Sequence, residues 1–323
     1  MRIAVIGAGR RNNGIGAYIA RFAKADGADV VAVLAQDIET AHRDAESLQQ
    51  WGVAAVPYAD LGLLIRRENP DALVIASPAI THAGYLGAAI DAGVHVLCEK
   101  PLIWDDGCDC SRIAKLLAAA RERGLTVAMN SQWPFVLPAY ERLCGLPQRA
   151  DIRSFRIELS PLVSGRDMIP DSMPHALSML FSTLGAGCLE DIRLFSGHDC
   201  LTAGFDYVTD AGSCRVEALL TKAPCQPRPF AFGFNGKLAR REIDMAVYRI
   251  AFVCDGRRIE VDDPLQQSVN DFLHACRSAQ QPRIGSEHIL ETMRMLQQVY
   301  AFWPQQRLHE QEAEGGKTSQ QGT

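Results

Sequence analysis

The chain has 323 residues, 47% of them hydrophobic and 22% charged, with a formal net charge of −5. That length is more than one ordinary core needs and implies two domains, or one large one with additions, while the mild acidity gives no electrostatic reason to expect nucleic acid or an anionic membrane as a partner. No apolar stretch approaches the ~20 residues of a bilayer span, and the first apolar run, about five residues, is too short for a signal-peptide core.

Residues 2–6, RIAVI, form the first predicted strand. Further strands are expected at 29–34, 72–76, 94–98 and 125–129, with helices near 15–25, 38–50, 60–68, 81–92 and 108–123 between them. In the last of these helices Ile113, Leu116, Leu117 and Ala120 share a face, and Gly124 is placed to end it. The strands read as continuous apolar runs, as strands covered on both faces do. Alternating strands and helices of this kind define a doubly wound parallel sheet, a Rossmann-type domain over residues 1–125.

The period changes after about Pro138. Residues 154–160 alternate Phe155, Ile157 and Leu159 with Arg156 and Glu158, so one face is buried and one is wet. Similar alternation recurs at 191–197, 214–221, 229–236 and 247–261, where Asp255-Gly256 reads as a hairpin turn. Helices are expected near 173–184, 267–279 and 286–302. This half, residues 126–308, reads as an α/β substrate-binding and oligomerisation domain on an open, mainly antiparallel sheet. Residues 309–323 have no apolar period and are expected to be a disordered tail.

The chemistry begins with GAGRRNNGIG, residues 7–16, between the first strand and the first helix. A dinucleotide loop usually reads G-x-G-x-x-G, with glycines that let the backbone approach a pyrophosphate at a helix N-terminus. Gly7 and Gly9 fit that pattern, but four residues separate Gly9 from Gly14, and Gly14 and Gly16 compete for the third place. The expected cofactor contacts are Gly7, Gly9, Arg10, Arg11, Asn12, Asn13, Gly14 and Ile15. The ending also resembles the loop of the short-chain dehydrogenases, which need Tyr-x-x-x-Lys. None of the seven tyrosines has Lys four residues later, so that reading is set aside.

Residues 77–102, SPAITHAGYLGAAIDAGVHVLCEKPL, carry a more specific resemblance. Ser77-Pro78, His82, the stretch Ala88 to Val96 and Glu99-Lys100-Pro101 are similar to the motifs of the Gfo/Idh/MocA oxidoreductases. The resemblance implies that Ser77, Pro78, His82, Glu99 and Lys100 border the cofactor, and that Lys100 lies beside the nicotinamide and polarises a substrate oxygen. It extends to Asp171 and His175 in DMIPDSMPHALSML, residues 167–180, whose D-x-x-x-H spacing matches a polar pair of many family dehydrogenases. There His175 would exchange the hydroxyl proton, a task suited to imidazole, and Asp171 would orient the hydroxyl or the ring. Ser172 or Asp171 is expected to cap this helix, with Pro174 in its first turn.

Gln132, Trp133 and Arg166 are candidate substrate contacts; many relatives have Arg about where Trp133 stands. The acid that ordinarily binds the ribose 2′-hydroxyl of NAD is replaced by Ala35, with Gln36 next and Asp37 beyond. Its loss, with Arg10 and Arg11 nearby, tilts the reading toward NADP over NAD, while Asp37 leaves an NAD role open. The ten cysteines are read as mostly free thiols of a cytoplasmic protein. Their close pair, Cys108 and Cys110, has no companion pair at zinc spacing, so no metal is expected.

The expectation is an NAD(P)-dependent dehydrogenase or reductase acting on a sugar, cyclitol or other small polyhydroxylated substrate, assembled as a homodimer or homotetramer. Imine reduction, redox-assisted glycoside cleavage and a non-catalytic NAD(P)-responsive regulator are the alternatives.

Overall fold

The computed structural model describes residues 1–9, 14–105 and 109–315, with side chains through residue 303. It divides into two compact units, Met1–Phe135 with Asp262–Met293 and Val136–Val261 with Arg294–Thr323.

In the first unit β1 (Arg2–Ile6), α1 (Gly16–Ala25), β2 (Asp29–Leu34), α2 (Ile38–Gln49), β3 (Val56–Tyr58), α3 (Leu61–Glu68), β4 (Ala72–Ile75), α4 (His82–Asp91), β5 (His95–Glu99), α5 (Cys110–Glu122) and β6 (Val127–Asn130) alternate. The strands pair in parallel in the order β3-β2-β1-β4-β5-β6. Asp37, Asp60 and Asp109 cap α2, α3 and α5 through their carboxylates, each satisfying backbone N–H groups that a helix start leaves orphaned. The strand interiors are fully buried, as their apolar runs imply. The short edge strand β3 was not expected: three residues with a proline among them give no periodic signal.

The second unit holds α6 (Leu137–Cys144), β7 (Ser154–Leu159), α7 (Met168–Leu184), β8 (Cys188–Ser196), β9 (Cys200–Thr209), β10 (Gly212–Thr221), β11 (Ala231–Phe234), β12 (Lys237–Asp244), β13 (Arg249–Cys254) and β14 (Arg257–Val261). The sheet runs β14-β13-β12-β11-β7-β10-β9-β8. Its pairs are antiparallel except β7 with β10. Asp255 and Gly256 both have positive φ (48° and 75°) and close the β13–β14 hairpin, as the Asp-Gly pair requires. Tyr140 of α6 fastens this helix to the buried face: its hydroxyl accepts from Phe234 N at 2.9 Å and donates to the Lys237 carbonyl at 2.7 Å, while its ring meets Phe232 and Phe234. Burial drives the Tyr140 hydroxyl well above its ordinary pKa. The other face carries Arg156 between Glu158 and Glu217, and Arg240 on Glu158.

Two later helices complete the chain, α8 (Pro264–Ser278) and α9 (Ser286–Gly315). The sequence reading gave 126–308 to one domain. The structure returns β6, the segment to Phe135 and Asp262–Met293 to the first unit, because β6 pairs with β5 and α8 packs on α1, β5 and β6. Val269, Phe272 and Leu273 of α8 enter the first unit's core, and Arg277 bonds Asp26 at 2.6 Å. Helical backbone also runs through residues 309–315, where an unstructured tail was expected. The Gln, Glu and Ala in that stretch have high helix propensity and need no apolar face to continue a turn. Residues 316–323 lie outside the described residues.

Candidate functional site

The β1–α1 loop lies at the carboxyl end of β1, where the sheet order reverses and doubly wound folds bind their ligands. Gly7 has φ +81°, and its N–H donates to the Leu34 carbonyl at 3.0 Å. A Cβ there would stand 2.9 Å from both Ala76 O and Ser77 N. A Cβ on Gly9 would stand 2.9 Å from the Asp44 carboxylate. Gly16, the first residue of α1, is the tightest: its Cβ would fall 2.3 Å from the Gly7 carbonyl. Gly16 therefore takes the third glycine's place, packing the helix onto the strand turn. Its buried position was missed because the sequence offered two glycines and only backbone contact decides between them. Ile15 stands at the N-cap of α1 and gives no side-chain cap of its own. Arg10, Arg11, Asn12 and Asn13 lie outside the described residues.

At the ends of the neighbouring strands the structure gathers Ser77, Glu99, Lys100 and Asn130. Ser77 Oγ lies 2.7 Å from Thr81 Oγ1, which itself donates to the Pro78 carbonyl at 2.7 Å. Pro78 is exposed, and Glu99 and Lys100 are half-buried. Glu99 and Asn130 pair across β5 and β6, and the Asn130 amide donates to the Glu99 carboxylate. Asn130 Oδ1 is buried with no hydrogen-bond partner among the described residues. The Lys100–Pro101 peptide is cis. His82, an expected cofactor contact, is turned inward instead and is only 1% exposed. Its Nε2 lies 2.8 Å from the Ser77 carbonyl and its Nδ1 3.0 Å from the Pro101 carbonyl.

After β2, Ala35 is fixed by its N–H on the Tyr58 carbonyl, and Gln36 is exposed. Asp37 accepts from Thr40 N at 2.7 Å and Thr40 Oγ1 at 3.0 Å, and the backbone bond from Thr40 holds its carboxyl below the usual range. Arg43 donates to Thr40 Oγ1 at 2.9 Å. Of the candidates after β6, Gln132 is half-buried, whereas Trp133 is buried. Arg283 donates to the Pro134 carbonyl at 3.1 Å and lies over the Phe135 ring, so this segment is anchored by packing.

In the second unit, α7 begins at Met168, one turn earlier than expected. Neither Asp171 nor Ser172 is its cap: Asp171 lies in the first turn, and Ser172 Oγ donates to the Asp171 carboxylate at 3.1 Å. Pro170 fits the first turn, where N–H groups have no helical partner anyway. Pro174 lies inside the helix, sustained there by buried Met173, Ala176, Leu177 and Met179. Between residues 171 and 180 every position is buried except Asp171 and His175. The two are one helical turn apart and open on one side. Arg166, just before the helix, lies over the Tyr300 ring at 3.7 Å and donates to the Tyr300 carbonyl. The preceding loop is tied by Ser164 and Lys222 to Asp199. A hollow of about 430 Å³ on the open face of the eight-stranded sheet, bordered by Arg156, Phe195 and Glu217, contains none of the expected site residues. Among the described residues there is no metal-holding cluster, nine cysteines are free thiols, and no helix is long and apolar enough to cross a membrane. Cys108 is outside those residues.

A parallel sheet of this order, with a glycine loop after its first strand and polar residues at the ends of β4 to β6, is a doubly wound α/β architecture of the kind in which dinucleotides bind at the switch point. Residues 1–131 match the Gfo/Idh/MocA model, an oxidoreductase family with an NAD-binding Rossmann fold. Inositol 2-dehydrogenase 4 of Saccharopolyspora erythraea is 35% identical over 121 residues, 38% of this chain and 34% of that protein. A dTDP-3,4-didehydro-2,6-dideoxy-alpha-D-glucose 3-reductase of Streptomyces violaceoruber is 38% identical over 109 residues, 34% of this chain and 29% of its own length. These matches thus span about a third of the curated relatives. The fold likeness is broader. UDP-N-acetylglucosamine 3-dehydrogenase from Acidithiobacillus ferrooxidans superposes with TM-score 0.70 at 22% identity, over 93% of this chain and 97% of that one. A 3-ketoreductase from Actinomadura kijaniata, solved with TDP-benzene and NADP, gives 0.68 at 20% identity over 93% and 97%.

Proposed function

We propose that the protein is an NAD(P)-dependent oxidoreductase that interconverts a hydroxyl and a carbonyl on a sugar, cyclitol or similar small polyhydroxylated substrate. The carrying observation is the backbone cradle at Gly7, Gly9 and Gly16, where a Cβ would meet other atoms at 2.9 Å or less. A tight first turn at Gly7 and close helix–strand packing at Gly16 are what the first and third glycines of a dinucleotide fingerprint supply, and the bound nicotinamide would supply the hydride. The relatives that act on inositol and on deoxysugar nucleotides support the substrate class.

The chain's own residues then do the positioning and proton work. Gly7, Gly9, Gly14 and Ile15 hold the pyrophosphate side, and Ser77, Pro78 and Glu99 border the nicotinamide side. Lys100 holds its ammonium against the reacting oxygen, stabilising negative charge as it develops. His175 takes the hydroxyl proton in oxidation and returns it in reduction, and Asp171 orients the pair. Gln132 and Arg166 contact substrate, with Arg166 held on Tyr300.

We favour NADP. Asp37 is engaged through both carboxylate oxygens in capping α2, and Arg43 stands on the same threonine. Fluorescence titration with NADPH and NADH tests this: tighter NADPH binding is expected, and a strong preference for NADH contradicts it. Turnover of a panel of polyols, aldoses and cyclitols with each cofactor tests the activity; cofactor binding without any turnover would favour a regulator. We further propose a cytoplasmic homodimer or homotetramer, with the open sheet face around Phe195 as the contact.

A further inference from the structure

His82 is the first residue of α4 and one of the few polar side chains buried in the first unit. It has no route to a ligand, since both ring nitrogens face carbonyl oxygens of the protein, Ser77 on one side and Pro101 on the other. Those two carbonyls belong to the turns that leave neighbouring strands β4 and β5. Ser77 is the residue whose backbone N stands against Gly7, beneath the glycine loop. Pro101 directly follows Lys100, and Leu102 and Ile103 after it are fully buried. The imidazole therefore spans from the floor of the glycine loop to the turn that carries Lys100.

We propose that His82 is a positioning residue that fixes Lys100 by holding the Pro101 carbonyl and ties that turn to the glycine loop through Ser77. The proposal rests on the reading of Lys100 as the group that polarises the substrate oxygen. A neutral imidazole has a single N–H, so only one carbonyl can receive a hydrogen bond at a time and the other faces a lone pair. Burial holds the ring below its ordinary pKa of 6.5, against the pull of the Ser77, Pro101 and Leu102 carbonyls, and the charge of Lys100 adds to that lowering. The neutral ring thus bonds one of the two carbonyls, and packing alone holds the other turn against it.

The test follows the amine of Lys100 itself. Reductive methylation of the full-length chain with 13C-formaldehyde labels its six lysines, and Lys100→Arg identifies the Lys100 resonance. In the wild-type protein that resonance is expected to stand apart from the other lysines and to move on saturation with NADPH. In His82→Leu it should collapse onto the others and lose its response to NADPH. His82→Gln, whose amide can still donate to one carbonyl, should recover part of both. A Lys100 resonance with wild-type position and wild-type NADPH response in both variants would overturn the proposal. If the Leu variant fails to fold by circular dichroism, the Gln variant carries the comparison. If NADPH moves no resonance even in the wild-type protein, the dinucleotide reading fails, while the unliganded spectra of wild type and variants still decide the role of His82.

Discussion

The two sheets of this chain solve the same problem of burial in opposite ways, and their candidate residues differ accordingly. The six-stranded sheet is covered on both faces, so its chemistry is confined to the ends of its strands and is built largely from backbone: the Gly7 turn, the Ser77 turn and the Lys100–Pro101 turn. The eight-stranded sheet leaves one face open, and its candidate acid–base pair comes from a helix, where Asp171 and His175 are the two positions between 171 and 180 that burial spares. Backbone sites fail when space is lost. Side-chain sites fail when one functional group is lost.

Gly16 gives the largest expected contrast. Gly16→Val places side-chain carbon against the Gly7 carbonyl, which α1 can avoid only by moving off the sheet. Overpacking of a core costs about 3 kcal/mol at its upper range, which for a domain of this size lowers the melting temperature by roughly 10 °C. NADPH binding should be lost with it. Calorimetry and fluorescence titration check both, and a variant that melts and binds like wild type would remove the backbone account of the loop.

His175→Ala makes the opposite test, since the residue is half-buried and on a helix that packs through other positions. Its stability should change little while kcat falls by about 10²–10⁴-fold, the usual worth of a placed acid–base group. The pH profile of kcat should lose the limb that His175 supplies. A kcat within a few-fold of wild type would return Asp171 and His175 to a structural role.

Asp37 should give the smallest effect. Its folded pKa is depressed by the bonds from Thr40, so its contribution is present above the ordinary carboxylate value of 3.8 and disappears as pH falls through the lower folded value. Asp37→Ala should therefore lower the melting temperature slightly at pH 7, with the difference vanishing in strong acid. A difference that persists there would mean that the cap is not what the carboxylate supplies.

The sequence displays the first unit well because its determinants are local. Apolar runs mark β1, β2, β4, β5 and β6, and Glu99-Lys100-Pro101 marks the turn that carries the lysine. The parts that stay hidden depend on partners far along the chain. α8 joins the first unit through contacts with α1 and Asp26 that no nearby residue announces. The strands β9 and β12 alternate like their neighbours, but α6 begins in a proline-containing stretch that reads as a boundary. His82 shows most clearly where pattern stops: its motif places it near the site, and only the carbonyls of Ser77 and Pro101 show that it works from behind.

The most direct test of the oxidoreductase reading compares wild-type protein and Lys100→Ala on a panel of polyols, aldoses and cyclitols, following NADPH and NADH at 340 nm. The account predicts turnover by the wild-type protein and a loss of about 10²–10³-fold in kcat for the variant, comparable to removing one preorganised donor to a developing oxyanion, with cofactor affinity nearly retained. Near-normal turnover by Lys100→Ala on the same substrate would contradict it.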